Sequence, residues 1–318
     1  MEQTTEHPRK KNLVTDKYVL FLTSEFSQWF PSEFKNDEGK QFICCEQYMM
    51  YEKAKLFGDT TSAEKIMAAT HPREMKEIGR GVQNFDLDVW NAHAQDIVYK
   101  ANYYKFTQNP HLYDVLMTTK GRELVEAAHY DPIWGIGLRA DDPLATDSSN
   151  WKGKNWLGQA ITKLRNDLIQ SDFKPSRDPA KKMLRIPDND GQRVLYIEAD
   201  KLAQQHGHKT LDEFAQARAK RRNEIYNDPK NNIGHGCMAE DFDWPEVDRI
   251  QVKIGWEQIE VSRSDFGALN RNVFKDGVPF GDGWAATPEY AEPITPYKPS
   301  KSVSFNKNKQ PKAKKHKR

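Results

Sequence analysis

The sequence has no long apolar run and few cysteines, and both shortages restrict the class of protein. No stretch of the 318 residues approaches the roughly 20 apolar residues that a membrane-spanning helix needs. The N-terminus also lacks the apolar segment of a secretory signal. The three cysteines include the adjacent pair Cys44 and Cys45, which cannot form a disulfide framework. We therefore expect a soluble, cytoplasmic protein with no membrane partner.

The body of the chain also lacks an excess of basic residues. The net charge is +2, but residues 293–318 hold nine Lys or Arg and no acid, so residues 1–292 carry −7. A folded nucleic-acid binder usually presents a basic face, which this acidic body does not predict. The basic end has no apolar periodicity and is expected to be disordered. It would attract phosphates weakly, serve as a nuclear localisation signal in a nucleated cell, or act only as a solubilising end.

Aromatic residues are plentiful and supply a core in a chain whose mean hydropathy is only −0.87. Composition divides the chain into a disordered arm (residues 1–16), a first domain (17–170), a linker rich in proline and charge (171–190), a second domain (191–298) and the basic disordered tail (299–318). In the second domain, Trp244, Trp256 and Trp284 indicate a real core. We expect that domain to be a smaller α+β unit of unknown fold.

Hydrophobic periodicity predicts that the first domain is mainly α with a small β part. Strands are expected at 18–21 and around Phe34, Phe42 and Ile43, with a turn at 36–39. Helices are expected from Cys45 to before Gly58 and over 62–69, 72–79, 89–106 and 112–118; residues 123–127 form a strand or a short helix. A closing helix carries an apolar stripe of Leu157, Ile161, Leu164 and Leu168. The second domain is predicted to hold a strand at 194–197, a basic helix at 211–226 and paired strands at 250–254 and 258–261.

Four clusters in the first domain hold the candidate functional residues: residues 24–31, the helix that begins at Cys45, residues 131–137 and residues 153–158. On that helix, Glu46 and Lys53 are seven residues apart and project from nearly the same face, about 10 Å apart along the axis. Taken singly, each cluster has a simpler explanation. The pair would be solvated, the W-G-x-G loop would be a tight turn, and Asn155 would only cap a helix by accepting a backbone N–H. The same helix start is also a place where phosphate binds.

The order of these clusters resembles the NADAR/YbiA-like family. The resemblance rests on FSQWFPSEF, CEQY followed by Lys53, IGR at 78–80, Trp90, KFTQNPHLYDVLMTT at 105–119, DPIWGIG, GKNWLG and Arg165. It implies a compact, mainly helical YbiA-like domain with a small β part. It also implies an N-glycosidase that cleaves ribosylated pyrimidine intermediates of riboflavin synthesis, or that removes ADP-ribose from guanine in nucleic acid.

Carried over by position, the resemblance implies that Glu46, Lys53 and Asp131 are the chemical groups. It also implies a pocket lined by Gln28, Trp29, Arg80, Trp134, Gly135 and Asn155. Neither a cofactor nor a metal is required. Two departures stand out: Gln28 replaces the Asn of many relatives, and a polar insertion at 141–150 lies beside the pocket loop.

These residue types suit glycosidic chemistry. An acid protonates the departing base while a carboxylate stabilises the positive charge at C1′ or activates water, so Glu46 and Asp131 are the expected acid/base pair. Lys53 is then an electrostatic group, or a nucleophile that forms a Schiff base with the ring-opened sugar. Trp29 or Trp134 would stack on the base. Arg80 and the helix start at residues 153–155 would bind phosphate.

Other functions remain open at the level of sequence. The pairs His206/His208 and His235/Cys237 suggest a metal site, although their spacing is poorer than that of structural zinc sites. Cys44 and Cys45 precede a helix, which would activate an exposed thiol. The first domain is alternatively a non-catalytic module that binds ADP-ribose or nucleotides, with specificity supplied by the C-terminal region. The expected partner is a small ribosylated or ADP-ribosylated substrate, or nucleic acid through the substrate and the basic tail.

Overall fold

A computed structural model of the chain describes residues 13–178, 181, 183–187, 193–226 and 250–261. Within these ranges it holds eight α-helices and nine short β-strands, so the mainly helical fold with small sheets is confirmed. None of the helices in the described ranges is both long and apolar enough to cross a membrane. The predicted basic tail, Trp244, Trp284 and the pair His235/Cys237 lie outside the described residues.

The first domain consists of β1 (Leu13–Val14), β2 (Tyr18–Phe21), β3 (Phe34–Lys35), β4 (Gln41–Phe42), α1 (Cys45–Leu56), α2 (Thr60–Ala68), α3 (Pro72–Arg80), α4 (Leu87–Gln108), α5 (Pro110–Thr118), β5 (Glu123–Glu126) and α6 (Trp156–Gln170). Two single-turn 3₁₀ helices, Pro143–Thr146 and Ser148–Asn150, lie between β5 and α6. The second part consists of β6 (Met183–Pro187), β7 (Val194–Glu198), α7 (Ala199–Gln205), α8 (Leu211–Tyr226), β8 (Ile250–Ile254) and β9 (Glu257–Val261).

Capping residues set the starts of several helices. Asp59 caps α2 by accepting a hydrogen bond from the amide of Ser62 at 2.9 Å. Its other oxygen accepts from the amide of Gln83 at 2.9 Å, so one buried carboxylate joins the start of α2 to the chain beyond α3. Asp86 caps α4 in the same way through the amide of Val89. These local signals explain why the predicted helices lie within a few residues of the observed ones.

The principal sheet has the strand order β1-β2-β5, with β1 antiparallel and β5 parallel to β2. Of the predicted 123–127, Glu123–Glu126 therefore form a strand, and Phe21 lies opposite Glu126 in the register. Leu13 and Val14 pair with Leu20 and Val19. The predicted disordered arm over residues 1–16 is therefore too long at its C-terminal end, because this short apolar pair completes the edge of the sheet.

The core of the first domain is formed by α1, α4 and α6. The predicted stripe on α6 is confirmed, since Leu157, Ile161 and Leu164 are fully buried and Leu168 is nearly so. The insertion at 141–150 packs against the principal sheet through Ala145, which shares an apolar cluster with Leu20 and Val125. Its Ala145 is buried, and the indole of Trp151 donates to the Ala145 carbonyl at 2.9 Å.

The second part has its own apolar core, which begins earlier than predicted. The linker assigned to residues 171–190 contains β6, in which Leu184 and Ile186 are buried and which pairs with β7. The prolines and charges of this segment led the sequence analysis to assign a linker. Pro187 is compatible with the strand because it lies at the end of β6, where no further ladder bond is needed. The predicted strand, helix and paired strands correspond to β7, α8 and the β8–β9 hairpin.

Candidate active site

The site lies at the edge where the two parallel strands end. The loop after β2 carries Gln28 and Trp29, and the loop after β5 carries Asp131 and Trp134. Because carboxyl ends of parallel strands meet at one edge of a sheet, these two loops come together there. The start of α1 closes the group, since the Glu46 amide donates to the Gln28 carbonyl at 3.0 Å.

Glu46 is the centre of this arrangement. Its side chain is buried, and burial raises the pKa of its carboxyl to about 7. The neighbouring Asp131 also raises this pKa, whereas Lys76, a hydrogen bond from Trp29 and Arg80 lower it. The structure therefore brings Glu46, Asp131, Trp29 and Arg80 together, four of the residues that the sequence selected.

Glu126 belongs to the same group and was missed by the sequence analysis. Its Oε2 is buried and has no hydrogen-bond partner among the described residues. Burial raises the pKa of Glu126 to about 8, with further increases from Asp131 and Glu46 and a decrease from Lys76. Its position at the carboxyl end of a strand, just before a Gly- and Pro-rich loop, was the available signal. Three carboxyl groups thus converge where the sequence predicted two.

Lys76 is the second residue that the sequence analysis missed. It lies on α3 one turn before Arg80, so both cations share a face of that helix. Lys76 has the largest charge effect on the pKa of Glu46 and also lowers the pKa of Glu126. Nothing in the pattern of α3 distinguishes it from other surface lysines, because one polar residue of an amphipathic helix looks like the next. Its placement follows from the packing of α3 on α1.

Lys53 lies two turns further along α1 and has different neighbours. Its Nζ donates to the Gly79 carbonyl at 2.7 Å and lies 4.2 Å from the ring centre of Phe85 and 5.5 Å from that of Trp90. Burial lowers the pKa of Lys53. Since Gly79 immediately precedes Arg80, this contact holds the end of α3 near the carboxyl cluster.

The loop that carries Asp131 is fixed by tight local geometry. The Asp131 carboxylate accepts hydrogen bonds from the amides of Ile133 and Trp134 at 3.0 and 2.8 Å. A Cβ at Gly135 would lie 2.8 Å from the Ala128 Cβ, so only glycine fits against the chain that leaves β5. Trp134 is half-buried and meets Trp156 edge to face at 5.7 Å. Gly135 and Trp134 therefore fix the conformation of the loop through contacts with Ala128 and Trp156.

Gln28 and Asn155 use their side chains within the protein. The Gln28 Oε1 accepts a hydrogen bond from the side-chain Nδ2 of Asn102 at 2.9 Å, and both residues are buried. Asn155 is fully buried with a φ of 54°, and its Oδ1 accepts from the Glu126 amide at 2.9 Å. It begins α6 without capping its own helix, so the predicted cap bond was wrong. Both residues hold backbone segments that carry the carboxyl cluster.

The start of α6 does not match the phosphate site that its sequence suggested. Its amides donate to carbonyls of the preceding loop: Lys154 to Pro132, Asn155 to Gly135, Trp156 to Ile133 and Leu157 to Trp134, at 3.0 to 3.2 Å. These donors therefore do not face a ligand. The prediction fails because the Asp131 loop returns to the helix start and satisfies it.

Among the described residues, the cysteines and histidines proposed as alternative sites have their side chains packed within the protein. Cys44 and Cys45 are buried, and burial raises the pKa of both thiols, that of Cys45 to about 11. Both thiols are therefore held in the protonated form, and the exposure that an activated thiol would need is not present. His206 stacks on Phe214 at 4.7 Å and its Nε2 lies 3.0 Å from the Gln251 carbonyl, and His208 also contacts Phe214. No group of three metal-ligating side chains occurs within the described ranges.

Comparison with known proteins identifies the family of the first domain. Residues 21–169 match the NADAR domain. The N-glycosidase R617 of Acanthamoeba polyphaga mimivirus is 41% identical over 49% of this chain and 99% of its own length. The N-glycosidase YbiA of Shigella boydii is 30% identical over 50% of this chain and 94% of its length. The riboflavin biosynthesis protein PYRR of Zea mays is 27% identical over 51% of this chain, but the match spans only 26% of PYRR. The chain belongs to the NADAR family.

Proposed function

We propose that this chain is an N-glycosidase that hydrolyses the bond between ribose and a nitrogen heterocycle. The observation that carries the proposal is the convergence of Glu46, Glu126 and Asp131. The pKa of Glu46 is raised to about 7 and that of Glu126 to about 8, so each carboxyl holds a proton near neutral pH. A protonated carboxyl beside a carboxylate is the pairing that glycosidic hydrolysis uses.

In the proposed reaction, Glu46 donates its proton to the departing nitrogen as the C1′–N bond breaks. Asp131 and the ionised Glu46 then stabilise the positive charge that develops on the ribose ring. Water adds to C1′, and its proton returns to Glu46, so the products are the free base and a sugar with a C1′ hydroxyl. Glu126, whose pKa is raised to about 8, stays protonated near neutral pH and adds no negative charge beside Glu46.

Lys53, two turns beyond Glu46 on α1, offers a second route. Its lowered pKa favours the neutral amine, which would attack C1′ of a ring-opened sugar, displace the base and form a Schiff base that water then hydrolyses. Both routes need an acid at the departing base, so both depend on Glu46. They differ in whether the sugar is ever bonded to the protein.

The substrate class follows from the groups around the carboxyl cluster. Trp29 lies at the cluster and offers a flat surface for a base, while Lys76 and Arg80 on α3 offer charge for phosphate. A ribosylated pyrimidine phosphate and an ADP-ribosyl-guanine in nucleic acid both meet these requirements. Only a polymeric substrate would show a steep dependence of KM on salt, through phosphates outside the site.

Product analysis with two substrates in parallel tests the proposal: a guanine-ADP-ribosylated oligonucleotide and a ribosylaminopyrimidine phosphate. Release of base by the native protein and its loss by a factor of about 10² to 10⁴ in Glu46→Gln are the expected results. Glu52→Gln, half-buried on the same helix, is the matched control and should keep its activity. Tight binding without release of base would instead favour a nucleotide-binding module.

A further inference from the structure

The second part of the chain is an addition to the family domain. R617 and YbiA are matched over 99% and 94% of their lengths by about half of this chain, so neither has a counterpart of β6–β9 within the match. This addition has its own core, but two of its aromatic side chains, Tyr196 and Trp256, pack against the first domain. Tyr196 contacts the loop that carries Gln28 and Trp29 directly, and Trp256 contacts it through His71.

Tyr196 on β7 holds this loop from one side. Its buried hydroxyl donates to the Glu25 Oε1 at 3.0 Å, and its ring meets Phe30 edge to face at 6.3 Å. Glu25 and Phe30 lie on either side of Gln28 and Trp29 in the chain. The added region is therefore attached at both ends of the loop whose Trp29 contacts Glu46.

Trp256 extends this contact to the mouth of the site. It lies at the turn of the β8–β9 hairpin, directly after Gly255, whose φ is +57°. Its ring centre lies 6.1 Å from that of His71, and the ring centre of His71 lies 6.2 Å from that of Trp29, both edge to face. Since Trp29 donates to Glu46, an unbroken row of aromatic groups runs from the carboxyl cluster to Trp256.

The aromatic row and the cations of α3 begin at the same point. His71 is the residue before α3, and Lys76 and Arg80 follow on that helix. A ligand that reaches from Glu46 to Trp256 would therefore pass both positive charge and a series of rings. This combination suits a sugar whose phosphates lead to a second aromatic base, whereas a ribose phosphate carries no second ring to place against Trp256.

We propose that Trp256 and His71 form an outer subsite for a second nucleobase, joined through phosphate to the ribose that reacts. The proposal rests on the proposed function, because it assigns the substrate class of the same site. It makes this chain selective for nucleotide-bearing N-glycosides over simple ribosides. The added region then has a chemical task that the family domain alone does not supply.

Calorimetric titration with ADP-ribose and with ribose 5-phosphate tests this subsite without requiring turnover. Stacking on a tryptophan is worth about 1–3 kcal/mol per base, so Trp256→Ala should weaken ADP-ribose binding about 5- to 100-fold. The effect on ribose 5-phosphate should be at least about fivefold smaller. Trp256→Phe keeps a ring and should retain most of the affinity, and thermal unfolding confirms that each variant is folded.

Equal losses for the two ligands, no loss for ADP-ribose, or no binding of ADP-ribose to the native protein would each overturn the subsite. Failure of the proposed function looks different, since the native protein would then bind ADP-ribose through Trp256 yet release no base from either substrate. Turnover that is abolished in Glu46→Gln but is indifferent to Trp256→Ala would sustain the glycosidase and remove the outer subsite.

Discussion

The backbone amide of Glu46 donates a hydrogen bond of 3.0 Å to the backbone carbonyl of Gln28. This bond joins the motif at residues 24–31 to the helix that begins at Cys45. Gln28 lies in the loop after β2, and Glu46 begins α1. Because the carbonyl is held by α1, the adjacent Trp29 is kept beside the Glu46 carboxyl. The family motif around residues 24–31 thus acts partly by positioning the acid, through backbone atoms that any residue type possesses.

The alkaline limb of the activity profile should report Glu46. Its pKa is raised to about 7, so turnover should fall as pH rises above about 7 and the acid loses its proton. Lys76 lowers this pKa, so Lys76→Met should move the limb upward by roughly 0.5–1 pH unit. The measurement is kcat against pH for both proteins. Lys65→Met, exposed on α2, is the control, and an unchanged limb in Lys76→Met would contradict the role given to Lys76.

Stability should also depend on pH through Glu126. Its pKa is raised from 4.5 to about 8 in the folded protein, so the stability that it contributes is complete below about pH 4.5 and is lost as pH rises through 8. Glu126→Gln removes this loss. The unfolding free energy of the variant relative to the native protein should therefore be higher at pH 9 than at pH 5 by on the order of 3 kcal/mol. Urea unfolding at both pH values measures it. Glu64→Gln, exposed on α2, should show no such gain.

Periodicity was sufficient for α6 because this helix buries a regular stripe. The spacing of Leu157, Ile161 and Leu164 predicted α6, and all three are fully buried. The strand β6 was not predicted. Its alternating apolar residues, Leu184 and Ile186, give too short a pattern to be recognised among the surrounding charges and prolines. Helical signals accumulate over several turns, whereas a five-residue strand offers only two inward positions.

The proximity of four candidate site residues was predicted from a family pattern and not from periodicity. Glu46, Asp131, Trp29 and Arg80 were selected through a family pattern, and they do converge. Lys76 carries no pattern of its own, and Glu126 is marked only by its place at the end of a strand, since the raised pKa of Glu126 comes from burial and from charges on other elements. The phosphate site expected at residues 153–155 failed because a sequence shows a helix start but not the carbonyls that fold back onto it.

Covalent trapping should decide how Lys53 acts. Burial lowers its pKa, which increases the neutral amine that a Schiff base requires, so borohydride added during turnover should link the sugar to Lys53. Mass spectrometry of the digested protein locates the adduct, and Lys53→Arg should abolish it. Lys55→Arg, exposed on the same helix, is the matched control. Turnover without any adduct in the native protein would favour direct attack by water and leave Lys53 as the residue that holds the Gly79 carbonyl.

Substitution of Asn155 should separate a positioning role from a substrate-binding role. Its side chain bonds the Glu126 amide and the Leu124 carbonyl, and its backbone is left-handed. Asn155→Gly loses the side-chain bonds but tolerates this backbone, and should cost about 2–3 kcal/mol in unfolding free energy. Asn155→Ala loses the same bonds and adds left-handed strain, so it should cost about 1 kcal/mol more. Urea unfolding gives both values. A binding residue would behave differently: KM would rise equally in the two variants while their unfolding free energies stayed near that of the native protein, and that result would return Asn155 to the pocket lining that the sequence predicted.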